Sequence, residues 1–102
     1  MIVRLTPEAL KDLVEIWFWI AREDENRADA FVDELQRACD SLFPRPWRFP
    51  VALDLDGDPV RKRLYRGHLV FYRVLPEEVE VVRVIHAARD WMALLQVPRS
   101  RK

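Results

Sequence analysis

The chain has 102 residues, 50% hydrophobic and 33% charged, with no formal net charge. That length suits one compact domain and not two, and a half-apolar chain with 2 Gly is not a disordered composition. Zero net charge argues against a dedicated nucleic-acid binder, and the single Cys39 excludes an intramolecular disulfide framework or a multi-Cys zinc site.

Met1 to Leu5 carries Ile2, Val3 and Leu5 and reads as a first strand. Thr6-Pro7-Glu8 then opens a helix: Thr6 can cap it, Pro7 suits its first position, and Glu8 complements its positive end. Leu10, Leu13, Val14, Trp17, Ile20 and Ala21 continue at helical spacing, so the helix spans 6–22. Glu23 to Asn26 is a polar break, with Asp24 and Asn26 as candidate caps. A second stripe runs from Ala28 through Phe31, Val32, Leu35, Ala38 and Cys39 to Leu42, which predicts a helix over 25–43 and an antiparallel helical hairpin. Cys39 lies on that stripe and is expected to be a buried structural thiol.

Pro44, Pro46, Pro50 and Pro59 forbid a long helix, so 44–59 reads as a surface linker pinned by Trp47 and Phe49. Asp56-Gly57 within it is a turn signal. After that the period becomes two. Val60 to Tyr65, His68 to Leu75 and Val79 to His86 read as strands, and the tight turns between them make an antiparallel meander. Arg89 to Gln96 reads as a short helix, and 97–102 as a basic tail. The predicted architecture is α+β: an N-terminal strand, an antiparallel helical hairpin packed on an antiparallel β-sheet, and a short C-terminal helix in one domain over 1–96. Apolar stretches such as Ile16 to Ala21 and Leu69 to Tyr72 are too short to span a membrane, and no leader pattern opens the chain. With no cystine available, a reducing, cytoplasmic setting is expected.

The charges divide along the chain. Up to residue 59 there are 7 Lys+Arg against 13 Asp+Glu, and from Val60 onward 10 against 4. Such a polarity can steer an acidic partner to one face, or it is ordinary solvated charge. Asp54, Asp56 and Asp58 open like a calcium loop, but Pro59 stands where Gly is needed and Tyr65 where the bidentate Glu belongs. His68 and His86 can face each other across strands without an evident third ligand, so no metal or cofactor is expected. Alternation puts Arg61, Arg63 and Tyr65 on one side of their strand. That side reads either as a grip for phosphates or as a charged face protecting an edge strand. Trp17-Phe18-Trp19 is the oddest feature. Successive helical residues differ by about 100°, so one small core cannot enclose all three. Phe18 or Trp19 is therefore expected at the surface, either as part of a partner site or as incidental exposure.

These pieces, in this order, resemble the RelE/ParE superfamily of toxins from bacterial toxin–antitoxin pairs. The resemblance rests on Leu5-Thr6-Pro7-Glu8-Ala9 followed by Asp12-Leu13 and Glu15-Ile16, on Ala28 to Leu35, and on Arg61 before Gly67 with Val70-Phe71-Tyr72-Arg73-Val74. Val81 to Asp90 resembles the ParE-type ending most closely. The resemblance implies a small co-encoded ParD-like antitoxin that wraps the toxin, with promoter DNA bound only through the complex. It also implies one of two activities. RelE-like members cut messenger RNA on the ribosome with basic residues and usually a C-terminal Tyr, whereas ParE-like members are associated with poisoning DNA gyrase. The chain has no Tyr after Tyr72, and Ala87-Ala88 follow His86 where a nuclease would be basic. Both departures favour a ParE-like plasmid-stabilisation toxin that binds gyrase, with a RelE-like endoribonuclease and an inactive interaction module as alternatives. Arg61, Arg63, His86, Arg89 and Asp90 are the target-binding candidates, and Trp17, Phe18 and Trp19 the antitoxin-binding candidates.

Overall fold

A computed structural model describes residues 2–95. Strand β1 (Ile2–Leu5) leads into helices α1 (Pro7–Ala21) and α2 (Glu25–Asp40). A short 3₁₀ turn at Pro46–Arg48 follows, then β2 (Val51–Leu55), β3 (Asp58–Tyr65), β4 (His68–Val74), β5 (Glu78–His86) and helix α3 (Trp91–Leu94). The expected tail at 97–102 lies outside the described residues.

The helix starts follow from local chemistry. Thr6 accepts the Ala9 N–H at 3.1 Å, and Asp24, not Asn26, accepts the Arg27 N–H at 3.1 Å. Between the helices, Glu23 and Asp24 donate their backbone N–H to Ile20, which closes the hairpin. α2 stops at Asp40, about one turn of chain short of Pro44, whose ring disfavours helical geometry just before it. Ser41 continues the helical φ/ψ as the C-cap, and Leu42 still reaches the core as the stripe predicts.

The sheet has order β1-β5-β4-β3-β2. Two sequence-based expectations need correction. First, β1 pairs with β5 in parallel, with Val3 opposite Val79, so the sheet is mixed and not purely antiparallel. The α1–α2 hairpin carries the chain across to the far edge at β2, and the antiparallel strands β2 to β5 then step back until β5 lies parallel beside β1. Second, the segment read as a linker contains β2, an edge strand paired to β3 through the Asp56-Gly57 turn. Both turn residues have positive φ, at 54° and 88°, as a two-residue hairpin turn of this hand requires. Proline near each end hid the strand: Pro50 precedes it, and Pro59 lies in its partner where an edge pairing tolerates the lost donor. Arg66-Gly67 repeats the same geometry between β3 and β4, with φ of 47° and 85°.

Alternation on β4 splits the apolar residues between two faces. Val70 and Tyr72 join Leu13, Leu35, Cys39 and Val81 beneath the helices. Leu69 and Phe71 join Val60 and Ile85 on the opposite face, where Trp91 and Leu94 of α3 cover them. Cys39 is fully buried, and burial with the nearby Asp40 charge pushes its thiol up to about 12, so it is an inert core residue.

β1 covers only the first half of β5, and α1 protects the rest of that edge. Thr6 Oγ1 donates to the Val82 carbonyl at 2.9 Å. The Asp12 carboxylate accepts the Val84 N–H at 2.8 Å and a two-pronged pair from Arg83, at 2.7 and 2.8 Å. Arg83 also reaches the Leu94 carbonyl at 3.4 Å, so one guanidinium ties α1, β5 and α3 together. On the outer face Arg4, Glu78, Glu80, Arg73 and Asp58 form a continuous ion network across β1, β5, β4 and β3. No helix among the described residues is long and apolar enough to cross a membrane.

Candidate functional site

A cleft of about 860 Å³ opens between the helical hairpin and the ends of β4 and β5. Its floor is apolar, from Ile16 and Ile20 of α1, Phe31 of α2 and Val84 of β5. Charged groups from several elements stand around it: Glu15, Arg27, Glu34, Arg66 and Arg89. Trp19 forms one wall and is 70% exposed.

The hairpin turn sets the polar end of this cleft. The pairing of β4 with β5 places His68 opposite His86, and their rings meet edge to face at 5.0 Å. Phe31 lies against the other side of His68 at 5.3 Å. Burial lowers the His68 pKa, the Arg66 carbonyl partly offsets it, and the neighbouring His86 lowers it further, so the ring is held neutral. His86 accepts the Ala88 N–H on Nδ1 at 3.0 Å, which leaves its proton on Nε2. Glu34 holds Arg66 at 2.6 Å and accepts a longer bond from the Tyr65 hydroxyl at 3.3 Å. Arg27 and Arg89 form no ion pair among the described residues.

The candidate residues therefore separate. His86 and Arg89 line the cleft. His86 is not inside a buried strand end, as its position in an apolar run suggests; it is exposed at the strand's last residue. Asp90 is the cap of α3, accepting the Ala93 N–H at 3.3 Å. Arg61 and Arg63 face the helix side as alternation predicts, but they do not line the cleft. Arg61 donates to the carbonyls of Trp47 and Phe49 at 3.0 and 2.7 Å. Arg63 donates to the Ala38 carbonyl and Ser41 hydroxyl at the end of α2, both at 2.7 Å.

The three aromatics separate as well. Trp17 is half-buried and donates its indole N–H to Asp29 at 2.7 Å, tying α1 to α2. Phe18 packs edge-on against Trp17 at 5.2 Å and is 62% exposed. Only Trp19 reaches the cleft, where Arg22 stacks over its ring at 4.6 Å. Arg27 and Glu34 escaped the sequence reading because isolated charges on a helix face carry no periodic signal. No group of three or more His, Cys, Asp or Glu among the described residues is arranged to hold a metal ion.

The cleft can seat an apolar side chain and present donors from imidazole and guanidinium groups at one end. The two imidazoles with an adjacent arginine can also orient a phosphate, but among the described residues no carboxylate is hydrogen-bonded to either histidine to activate it.

No curated protein matches the chain significantly. A solved structure described as a chromosomal ParDE toxin–antitoxin system from P. aeruginosa superposes with a TM-score of 0.70 at 20% identity, covering 84% of this chain and 95% of that one. At that identity the likeness concerns the fold. The family profile described as the ParE toxin of the type II toxin–antitoxin system parDE matches residues 3–91. With nearly the whole described chain inside that match, the protein belongs to the ParE toxin family of type II toxin–antitoxin systems.

Proposed function

We propose that this chain arrests growth by binding DNA gyrase in the cytoplasm and is neutralised by a ParD-like antitoxin that inserts a segment into the cleft beside Trp19. Such a pair would stabilise the replicon that carries it. The observation that carries the antitoxin contact is the apolar floor next to an indole left 70% exposed. A largely exposed tryptophan beside an open apolar cleft is the composition of an interface core. The reading of action by binding rests on the two histidines. Burial lowers the pKa of His68, His86 is engaged through Nδ1, and among the described residues neither is hydrogen-bonded to a carboxylate that would make it a general base.

The test is induced expression without antitoxin. Gyrase poisoning gives DNA breaks and trapped cleavage complexes with purified gyrase while messages stay intact. Trp19→Ala weakens antitoxin affinity without changing toxicity. An antitoxin affinity unchanged in Trp19→Ala removes the cleft from the contact.

A second reading is favoured by one observation, the convergence of His68, His86 and Arg89 in a single cleft. Rapid ribosome-dependent message cleavage, abolished by His86→Ala, assigns the chain to RNA cleavage instead. A chain that harms cells in neither way is an inactive module that sequesters antitoxin.

A further inference from the structure

The segment between α2 and β2, Phe43-Pro44-Arg45-Pro46-Trp47-Arg48-Phe49-Pro50, lacks regular strand structure but is held in place at five of its carbonyls. The buried Tyr72 hydroxyl donates to the Pro46 carbonyl at 2.6 Å. Arg61 takes the carbonyls of Trp47 and Phe49, and the Lys62 N–H donates to that of Pro50 at 3.0 Å. Arg48 donates to the carbonyls of Arg45 and Ser41, at 3.3 and 2.9 Å. Pro46 is buried beneath the turn.

This anchoring has an electrostatic consequence. The cations that hold the loop are satisfied by neutral carbonyls, so their charge is not cancelled. Arg45, Arg48, Arg61 and Arg63 enter no ion pair among the described residues. Arg48 and Arg63 both stack on the Phe49 ring, at 4.8 and 5.1 Å, which gathers their charge at one place. Their field, with that of Arg61, reaches the Tyr72 phenol and opposes the upward push of burial there. Against this positive ground the loop exposes Trp47 at 60% and Phe43 at 42%.

We propose that this loop is the surface on which the toxin's target docks, and that the target presents an acidic protein surface with an apolar recess for the Trp47 indole. The inference rests on the reading of a toxin that acts by binding. Tryptophan and arginine are the residues most enriched among those that dominate binding energy. A loop already fixed by its own hydrogen bonds loses little entropy when it docks. A protein partner fits better than a nucleic acid, because Asp40 at the neighbouring end of α2 interrupts the positive patch, which leaves room for a local cluster of carboxylates but opposes a continuous run of phosphates. Arg61 and Arg63 then act as positioning residues: they hold the loop and contribute field without being the contact.

Trp47→Ala and Arg45→Glu test this. The exposed Arg45 side chain enters no ion pair among the described residues, so its reversal leaves the fold intact. Each variant is expressed without antitoxin and scored for growth arrest, and each purified chain is measured for gyrase binding and antitoxin binding. The expected result is about 30-fold weaker gyrase binding for each variant, with loss of growth arrest and antitoxin affinity unchanged. Growth arrest that persists in both variants overturns the inference and leaves the binding-toxin reading standing. A wild-type chain that does not arrest growth overturns that reading and the inference with it. Quenching of Trp47 by a single-stranded deoxythymidine oligomer at micromolar concentration, lost in Arg45→Glu, assigns the loop to nucleic acid and overturns the proposal.

Discussion

Asp12 shows how much one side chain can carry. It is buried, its oxygens accept three N–H donors from β5, and it compensates the Arg83 charge. Replacing it leaves a strand N–H unpaired and a guanidinium uncompensated beside the core. Asp12→Ala is expected to cost about 3 kcal/mol in urea unfolding, with Asp12→Asn recovering part of that through the Val84 bond. His68 supports a second prediction at the same scale. Its pKa is lowered in the folded state, so the folded chain prefers the neutral ring. The stability this provides is present above the unfolded value of about 6.5 and is lost as pH falls through the folded value. The melting temperature should therefore drop between about pH 7 and pH 5 more steeply in the wild type than in His68→Asn. Parallel curves for the two proteins would exclude His68 as the source.

At the scale of elements, the loop 43–50 and the strands beneath it depend on each other. Tyr72 belongs to the helix-side core of β4, yet its hydroxyl is the inner support of the loop. Tyr72→Phe keeps the ring and removes the donor, leaving the Pro46 carbonyl buried without it. The expected cost is about 2 kcal/mol, with faster amide exchange at Lys62, whose N–H closes the loop onto β3. Unchanged exchange there would mean that Arg61 alone fixes the loop. The same elements show what was legible. The two helical stripes, the Thr6 cap and the alternation on β4 are local patterns, and each element appeared where its pattern lay. β2 was not legible, because a five-residue strand between prolines carries less signal than the prolines that flank it.

Across the whole molecule, acid stability should follow the outer ion network. Burial pushes the Glu80 carboxyl up, but hydrogen bonds from Arg73 and Arg4 outweigh it and hold the pKa below the usual carboxylate range. Arg4 likewise lowers Glu78. Carboxylates depressed in the folded state add stability above their unfolded value of about 4.3, and that stability is lost as pH falls through the folded values. Unfolding midpoints should thus decline below about pH 4.5, and Glu80→Gln should flatten that decline while lowering stability at pH 7. A decline of equal steepness in the variant would locate the acid sensitivity elsewhere. The network joins four strands, so it also couples the parallel β1 to the antiparallel meander.

The sequence alone determined the order of every element but β2, the helix caps, the hairpin turns and the burial of Cys39. All of these arise from interactions between residues close in the chain or from the period of apolar residues. The family resemblance was also legible, since it rests on short motifs in a fixed order. Tertiary structure decided three things. It made β1 a parallel edge, because the direction of a strand depends on where the crossover returns it. It split Trp17, Phe18 and Trp19 among an interhelical tie, the open surface and the cleft wall. It drew Arg61 and Arg63 away from His86 and Arg89, because carbonyls left open by the loop and by the end of α2 lie within their reach. Which donors those carbonyls find depends on residues far apart in the chain, and no local pattern encodes that meeting.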